Sequence, residues 1–331
     1  MSNFEALKIL GFDHLEFAVA DIERAAESFL KLGFEKAGMR ELRERELRSL
    51  LLVQNEVQIV LSHSTKGSDP IAAFVKAHGD GILNIAFRCE DAVSALEIAA
   101  SRGATVLEPP RSYQKEAGTV HQAAIAAFGD VRHTLISRQG NLFAEGFDLS
   151  PRRPNKAMGF QRIDHVTCLV ETGKIELWRN FYEKIFGLTS YSIENLTILE
   201  SPRGGIRLPF CEPSTGGQEI QEHLDMNHGP GVEHAAFSSE NLLESVQHWR
   251  KQGAKFLGVP SPYYETISKR FPGIVENVHE LAEYGIMVDG DENGYLLQVF
   301  TGKLMGPFFL EAIQRKGATG FGEKNRSRSS D

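Results

Sequence analysis

When the 331-residue chain is laid on itself with an offset of 150 residues, it repeats. His78 to Asp91 reads HGDGILNIAFRCED and His228 to Asn241 reads HGPGVEHAAFSSEN, with His, Gly, Gly, Ala, Phe and Glu at equal spacing. Each stretch runs into a helix-like segment that closes on Gly-Ala, at Gly103 and Gly253, as a helix C-terminal glycine does. Upstream, Phe12 to Val19 (FDHLEFAV) matches Ile163 to Val170 (IDHVTCLV), a short strand pattern carrying a histidine. An amphipathic helix follows each: Ile22, Ala25, Ala26, Phe29 and Leu30 behind an Asp21 N-cap, then Trp178, Phe181, Tyr182 and Ile185. Several blocks in one order at one offset indicate a duplication. The expected fold is α+β with two homologous halves, residues 1–150 and 151–322, each running strand, helix, strands, then strand, helix, strands again. Pro151 to Met158 (PRRPNKAM) is the expected linker. Residues 323–331 contain no hydrophobe and are expected to form a flexible tail.

Composition narrows the class. With 41% hydrophobic residues the chain can build cores, and with 36 basic against 44 acidic residues it lacks the basic footprint of a nucleic-acid binder. No apolar run approaches the roughly 20 residues of a membrane helix. The start lacks the basic-then-apolar order of a secretion signal. Cys89, Cys168 and Cys211 form no CxxC pair, so a cytoplasmic location is expected. No glycine pair precedes Lys-Ser/Thr, which excludes a phosphate loop. His223, His228, His248 and His279 read as surface or helix residues.

Three residues of the second half sit on strand-like segments: His165 in IDHVT, His234 in VEHAAF and Glu311 in FFLEAIQR. A histidine in an apolar strand is more often a hydrogen-bonded core residue than a ligand. A carboxylate embedded in Pro307-Phe308-Phe309-Leu310 is different, because burying it without a partner costs several kcal/mol. Two imidazoles and one carboxylate suit a divalent first-row metal and leave three faces open, the facial triad of oxygen-activating Fe(II) enzymes. One anionic ligand leaves a net charge near +1, which favours an anionic chelating substrate. By the repeat, the corresponding first-half residues are His14, Asn84 and Glu145. Asn84 is a poor transition-metal ligand, so this set reads as the remnant of a lost site.

At these residues the chain resembles the 4-hydroxyphenylpyruvate dioxygenases of the vicinal-oxygen-chelate (glyoxalase-like) group. The resemblance runs from Gly11 to Gly322. It is carried by IDHVT (163–167), FYEKIFGL (181–188), EIQEHLDMNHGPGVEH (219–234), YYE (263–265), YLLQVF (295–300) and GPFFLEAIQRKGATGFG (306–322). It implies paired βαβββ modules, Fe(II) held by His165, His234 and Glu311, and two small-molecule partners, a 2-oxo acid and O2. The implied reaction turns 4-hydroxyphenylpyruvate into homogentisate with loss of CO2, a step of tyrosine catabolism. It further implies a substrate pocket that includes Pro209, Gln298, Phe300, Phe309 and Phe321, and homo-oligomers.

The chain also departs from that family. Cys211 stands where an asparagine is usual, Glu233 and Glu219 where glutamines are usual, and Leu196 where a serine is expected. Lys324-Asn325-Arg326 leads into a polar tail in place of a continuing helix, which would leave the pocket mouth less covered. Losing amide and hydroxyl donors is expected to weaken recognition of a phenol. The alternative reading keeps the iron chemistry but acts on a different 2-oxo acid, or forms a mandelate. A third reading is a non-catalytic small-ligand binder, which would not need all three ligands.

Overall fold

A computed structural model describes residues 7–150, 159–202 and 204–326. The linker expected at Pro151 to Met158 lies outside the described residues. The first half contains two βαβββ modules. The first comprises β1 (Ile9–Ala18), α1 (Ile22–Lys31), β2 (Glu35–Leu42), β3 (Leu47–Gln54) and β4 (Val57–Ser64). After α2 (Pro70–His78) come β5 (Gly81–Cys89), α3 (Ala92–Ser101), β6 (Val106–Lys115), β7 (Gly118–Ala126) and β8 (Arg132–Gly140), closed by a short β9 (Phe147–Leu149). The second half repeats this with β10 (Phe160–Leu169), α4 (Ile175–Phe186), β11 (Thr189–Ile193), β12 (Leu196–Glu200) and β13 (Arg207–Cys211). The short α5 (Pro213–Gly216) and α6 (Gln218–Met226) lead to β14 (Gly231–Ser239) and α7 (Leu242–Lys251). Three short helices, α8 (Pro262–Glu265), α9 (Ile267–Arg270) and α10 (Val278–Tyr284), precede β15 (Met287–Asp291), β16 (Gly294–Phe300) and β17 (Phe309–Lys316). A last turn, α11, spans Glu323–Arg326.

Each half is one sheet, and the two orders mirror one another: β6-β7-β8-β5-β1-β4-β3-β2-β9 and, read from the other edge, β15-β16-β17-β14-β10-β13-β12-β11. In both, the first strands of the two modules pair antiparallel at the centre, β1 with β5 and β10 with β14. The helices begin and end where the sequence says they should. Asp21 has extended backbone and accepts from the Arg24 N–H, and Gly187 closes α4 in the left-handed region.

Alternation along the strands sorts side chains between two environments. One face joins the helices and the other half in a single apolar core, which includes Phe17, Phe29, Phe34, Phe87, Phe160, Phe237 and Trp249. Edge-to-face pairs such as Phe17–Phe308 cross between the halves. The opposite face of each curled sheet lines that half's own interior.

The tail expectation needs one correction. Glu323–Arg326 is helical, the Asn325 side chain is buried, and its Oδ1 accepts from the Tyr263 hydroxyl at 2.8 Å. The Asp289 carboxylate accepts from the Lys324 N–H at 3.0 Å. A turn with no hydrophobe is ordered here by hydrogen bonds, which a reading based on hydrophobicity does not register.

His133 and Tyr182 tie the halves together. His133 Nδ1 donates to the Ile85 carbonyl at 2.9 Å, so its Nε2 accepts from the Tyr182 hydroxyl at 2.7 Å. Burial pushes the His133 pKa down to about 4, although the Ile85 hydrogen bond opposes this. The unfolded chain takes up this proton near pH 6.5 and the folded chain does not. The contribution is therefore full above about pH 6.5 and lost as pH falls toward 4. The stability advantage of the native protein over His133→Gln, measured by urea unfolding, should shrink by about 3 kcal/mol between pH 7 and pH 4.

Candidate metal centre

Three neighbouring strands supply the site. On β10 the interior-facing residues are His165, Thr167 and Leu169, on β14 His234 and Ala236, and on β17 Phe309, Glu311 and Ile313, as the registers His234–Phe309 and Ala236–Glu311 require. The curl of the sheet turns the three ligand side chains toward one point. His165 Nε2 and His234 Nε2 lie 3.5 and 3.4 Å from Glu311 Oε2, and one ligand atom from each residue falls within 4.8 Å of the others. Two donors bound at roughly 2.1 Å and at right angles would be about 3 Å apart, so these separations match a shared divalent ion.

Two small irregularities aim the imidazoles. β10 has one extra residue between Ile163 and His165, and β14 has one between Val232 and His234. These β-bulges fall at Asp164 and Glu233 and interrupt the alternation of faces. Each bulge carboxylate can therefore reach the ring beside it. Asp164 Oδ1 accepts from His165 Nδ1 at 2.9 Å, and Glu233 Oε2 accepts from His234 Nδ1 at 2.9 Å. A carboxylate only accepts, so both Nδ1 atoms carry protons and both Nε2 lone pairs face the centre. Arg315 donates twice to Asp164, at 2.8 and 2.7 Å. Burial alone would raise the Asp164 carboxyl, but the bonds from Arg315 and His165 outweigh it and hold it well below the usual range.

Glu311 is 1% exposed. Burial raises its pKa, yet the two imidazoles more than offset this and keep it ionised. Its other oxygen, Oε1, is buried without a hydrogen-bond partner. An ionised, fully buried carboxylate with one orphaned oxygen, facing two imidazole lone pairs, is a donor set that suits a divalent cation.

The comparisons with known proteins agree. Residues 13–122 and 162–299 each match the Glyoxalase/Bleomycin resistance protein/Dioxygenase superfamily. Protein MelA of Shewanella colwelliana is 33% identical, covering 96% of this chain and 93% of its own. The 4-hydroxyphenylpyruvate dioxygenase of Pseudomonas aeruginosa is 32% identical, covering 95% and 90%. The chain belongs to the 4-hydroxyphenylpyruvate dioxygenase family. That family comprises non-haem iron dioxygenases on the vicinal-oxygen-chelate fold. Among solved structures, a triple mutant of 4-hydroxymandelate synthase from Streptomyces coelicolor superposes with a TM-score of 0.82 at 28% identity, covering 98% of this chain and 96% of that one.

Within this family framework the expected pocket residues divide. Phe309 stacks on His234 with ring centres 4.9 Å apart, Phe300 lies edge-on at 6.2 Å, and Phe321 meets His165 edge-on at 5.0 Å. Pro209, Cys211 and Gln298 are buried on the interior face, with Ile198 opposite Pro209 and Gln298 opposite Ile313. Gln298 Oε1 lies where a side chain at Gly322 would begin, and Gly322 has a positive φ of 72°, so a larger residue there would be strained and would displace the amide. Glu233 is buried, but it supports His234 from behind. Glu219 is exposed on α6. Its position in the first turn of an amphipathic helix turns it to solvent, while Ile220 and Leu224 point inward.

The first half corrects another expectation. His14 and Asn84 hold the positions of His165 and His234, and the bulge recurs at Asp13, whose carboxylate accepts from His14 Nδ1 at 2.6 Å and from Arg138. The counterpart of Glu311 is Thr134, since Asn84 pairs in register with Arg132 as His234 does with Phe309. Glu145 lies in the loop after β8, and the repeat at the sequence level had drifted there. The interior is occupied by a half-buried Glu16 that accepts from Arg40 at 3.3 Å, Ser62 at 2.7 Å and Asn84 at 3.3 Å. A guanidinium thus neutralises this half.

Sequence reading missed Thr167, whose hydroxyl lies 3.1 Å from His234 Nε2, and the Asp164–Arg315 support. The paired Asp-His in FDHLEF and IDHVTC was the available signal for the latter. His223, expected among surface or helix residues, lies on helix α6; its side chain is buried, and that burial lowers its pKa. One divalent ion per chain should bind, as read by metal analysis, and Glu311→Ala should abolish it. Asp164→Ala and Glu233→Ala, which remove the acceptors for the two Nδ1 protons, should each weaken affinity by about 10- to 100-fold in chelator competition.

Proposed function

We propose that this protein is an Fe(II)-dependent dioxygenase that oxidises and decarboxylates a 2-oxo acid. The observation that carries the reading is the convergence of His165, His234 and ionised Glu311 on one buried point with both imidazole tautomers fixed. Bound Fe(II) supplies the one-electron chemistry with O2 that side chains cannot. His165, His234 and Glu311 would hold it. A single anionic ligand favours a bidentate anion such as a 2-oxo acid. Phe309, Phe300 and Phe321 stand around the two imidazoles and would offer an aromatic surface beside the ion. One atom of O2 ends in the new carboxylate, the other in a hydroxyl, and CO2 leaves, so the equation balances without a further reductant.

The relatives' names make 4-hydroxyphenylpyruvate the first acid to test, with homogentisate and 4-hydroxymandelate as the two products to separate. A ligand-sequestering role fits the site less well, because a binder has no need of three converging buried ionisable groups. Iron-loaded protein should consume O2 and release CO2 in a 1:1 ratio with a 2-oxo acid. His165→Ala, His234→Ala and Glu311→Ala should each lose this activity by several orders of magnitude while keeping native circular dichroism. Oxygen electrode and headspace CO2 measurements check the result.

A further inference from the structure

A buried hydroxyl stands against one of the three ligand atoms. Thr167 is 2% exposed, pairs in register with His234 and lies 3.1 Å from its Nε2. Glu233 fixes the His234 proton on Nδ1, so Nε2 accepts and the Thr167 O–H donates. The registers place Thr167, His234 and Phe309 on one interior level, and His165, Ala236 and Glu311 on the next. Thr167 thus flanks His234 from β10, while Glu311 reaches it from β17 one level further on. The first half repeats this contact. Glu16 pairs in register with Asn84, the counterpart of His234, and accepts from its Nδ2 at 3.3 Å. Glu16 is a carboxylate met by Arg40, whereas the half that gathers the ligands carries a neutral group at the same place. A second carboxylate beside Glu311 would cancel the positive charge that draws an anion to the ion.

Nε2 has one lone pair and cannot serve both the hydroxyl and an ion. An ion at His234 therefore strips Thr167 of its acceptor, and a buried hydroxyl left unpaired is costly. The side chains beside it on the interior face, Leu169 on β10 and Pro209 on β13, are apolar. We propose that Thr167 is a positioning residue of the centre: once an ion takes His234, its hydroxyl donates to a ligand oxygen on that ion, which in the working site is an anionic oxygen of the 2-oxo acid. This rests on the dioxygenase reading above and deepens it, from holding the ion to orienting what the ion holds. A hydroxyl bonds an anionic oxygen more strongly than a neutral one, so replacing water by the acid strengthens the contact.

Thr167→Val removes the hydroxyl at nearly constant shape, and Thr167→Ser keeps it. Two affinities are read anaerobically on the full chain: that for Fe(II), by chelator competition, and that of the Fe(II)-loaded protein for 4-hydroxyphenylpyruvate, by the charge-transfer absorption of the chelate. Fe(II) should bind Thr167→Val no more tightly than the native chain, because the hydroxyl bond is exchanged on loading and not lost. The acid should bind Thr167→Val about five- to tenfold more weakly, and Thr167→Ser should restore it. Fe(II) binding that tightens by about fivefold or more in Thr167→Val overturns the proposal, since the hydroxyl is then only a competitor for the lone pair. Unchanged affinity for the acid, or a loss that serine does not restore, overturns it as well. If the native Fe(II) protein binds no 2-oxo acid, the dioxygenase reading fails instead. The Fe(II) affinities then decide alone, with water as the ligand oxygen: no gain in Thr167→Val upholds the proposal and a fivefold gain overturns it.

Discussion

A single buried carboxylate governs the second half. Glu311 stays ionised at 1% exposure, a state that demands compensation from whatever surrounds it. Two imidazoles on adjacent strands meet one of its oxygens, and the other is left for a cation. The surrounding construction serves that charge. Bulges re-aim the histidines, neighbouring carboxylates hold their tautomers, and Arg315 neutralises the more deeply buried of those carboxylates. Removing any one partner would leave a charge unpaired in the interior, which is far more costly than losing an exposed pair.

The first half shows what the same scaffold does without that demand. Asp13, His14 and Arg138 reproduce the support of Asp164, His165 and Arg315, yet Asn84 and Thr134 stand where the other two ligands would be. Thr134 N–H donates to Asn84 Oδ1 at 3.0 Å, so the pair satisfies itself. The interior charge has moved to Glu16, and Arg40 meets it. In this half the interior carboxylate is met by a guanidinium of the chain itself.

Much of this was legible in the sequence because duplication writes the same message twice. The repeat located both module pairs, and Glu311 in an apolar run announced a buried charge. Legibility failed where geometry is not periodic. Glu145 was matched to Glu311 by residue type, and only strand register identifies Thr134. Glu219 reads as a pocket residue in a linear alignment, but helical rotation exposes it. The helical turn at Glu323 is held by hydrogen bonds to Tyr263 and Asp289, distant in sequence and invisible to a local reading.

The single-residue insertions at Asp164 and Glu233 have a consequence for parity. Before the insertion, odd-numbered Ile163 belongs to the apolar core shared with the other half; after it, odd-numbered His165 faces inward. On β14, Val232 and His234 differ in the same way. Each strand thus reads out of phase with itself, so that one segment can serve packing and the next can serve chemistry. Grafting the three ligands onto a regular sheet by sequence position alone would send each histidine to the wrong side. The unit that would have to be transplanted is the ligand together with the kink before it.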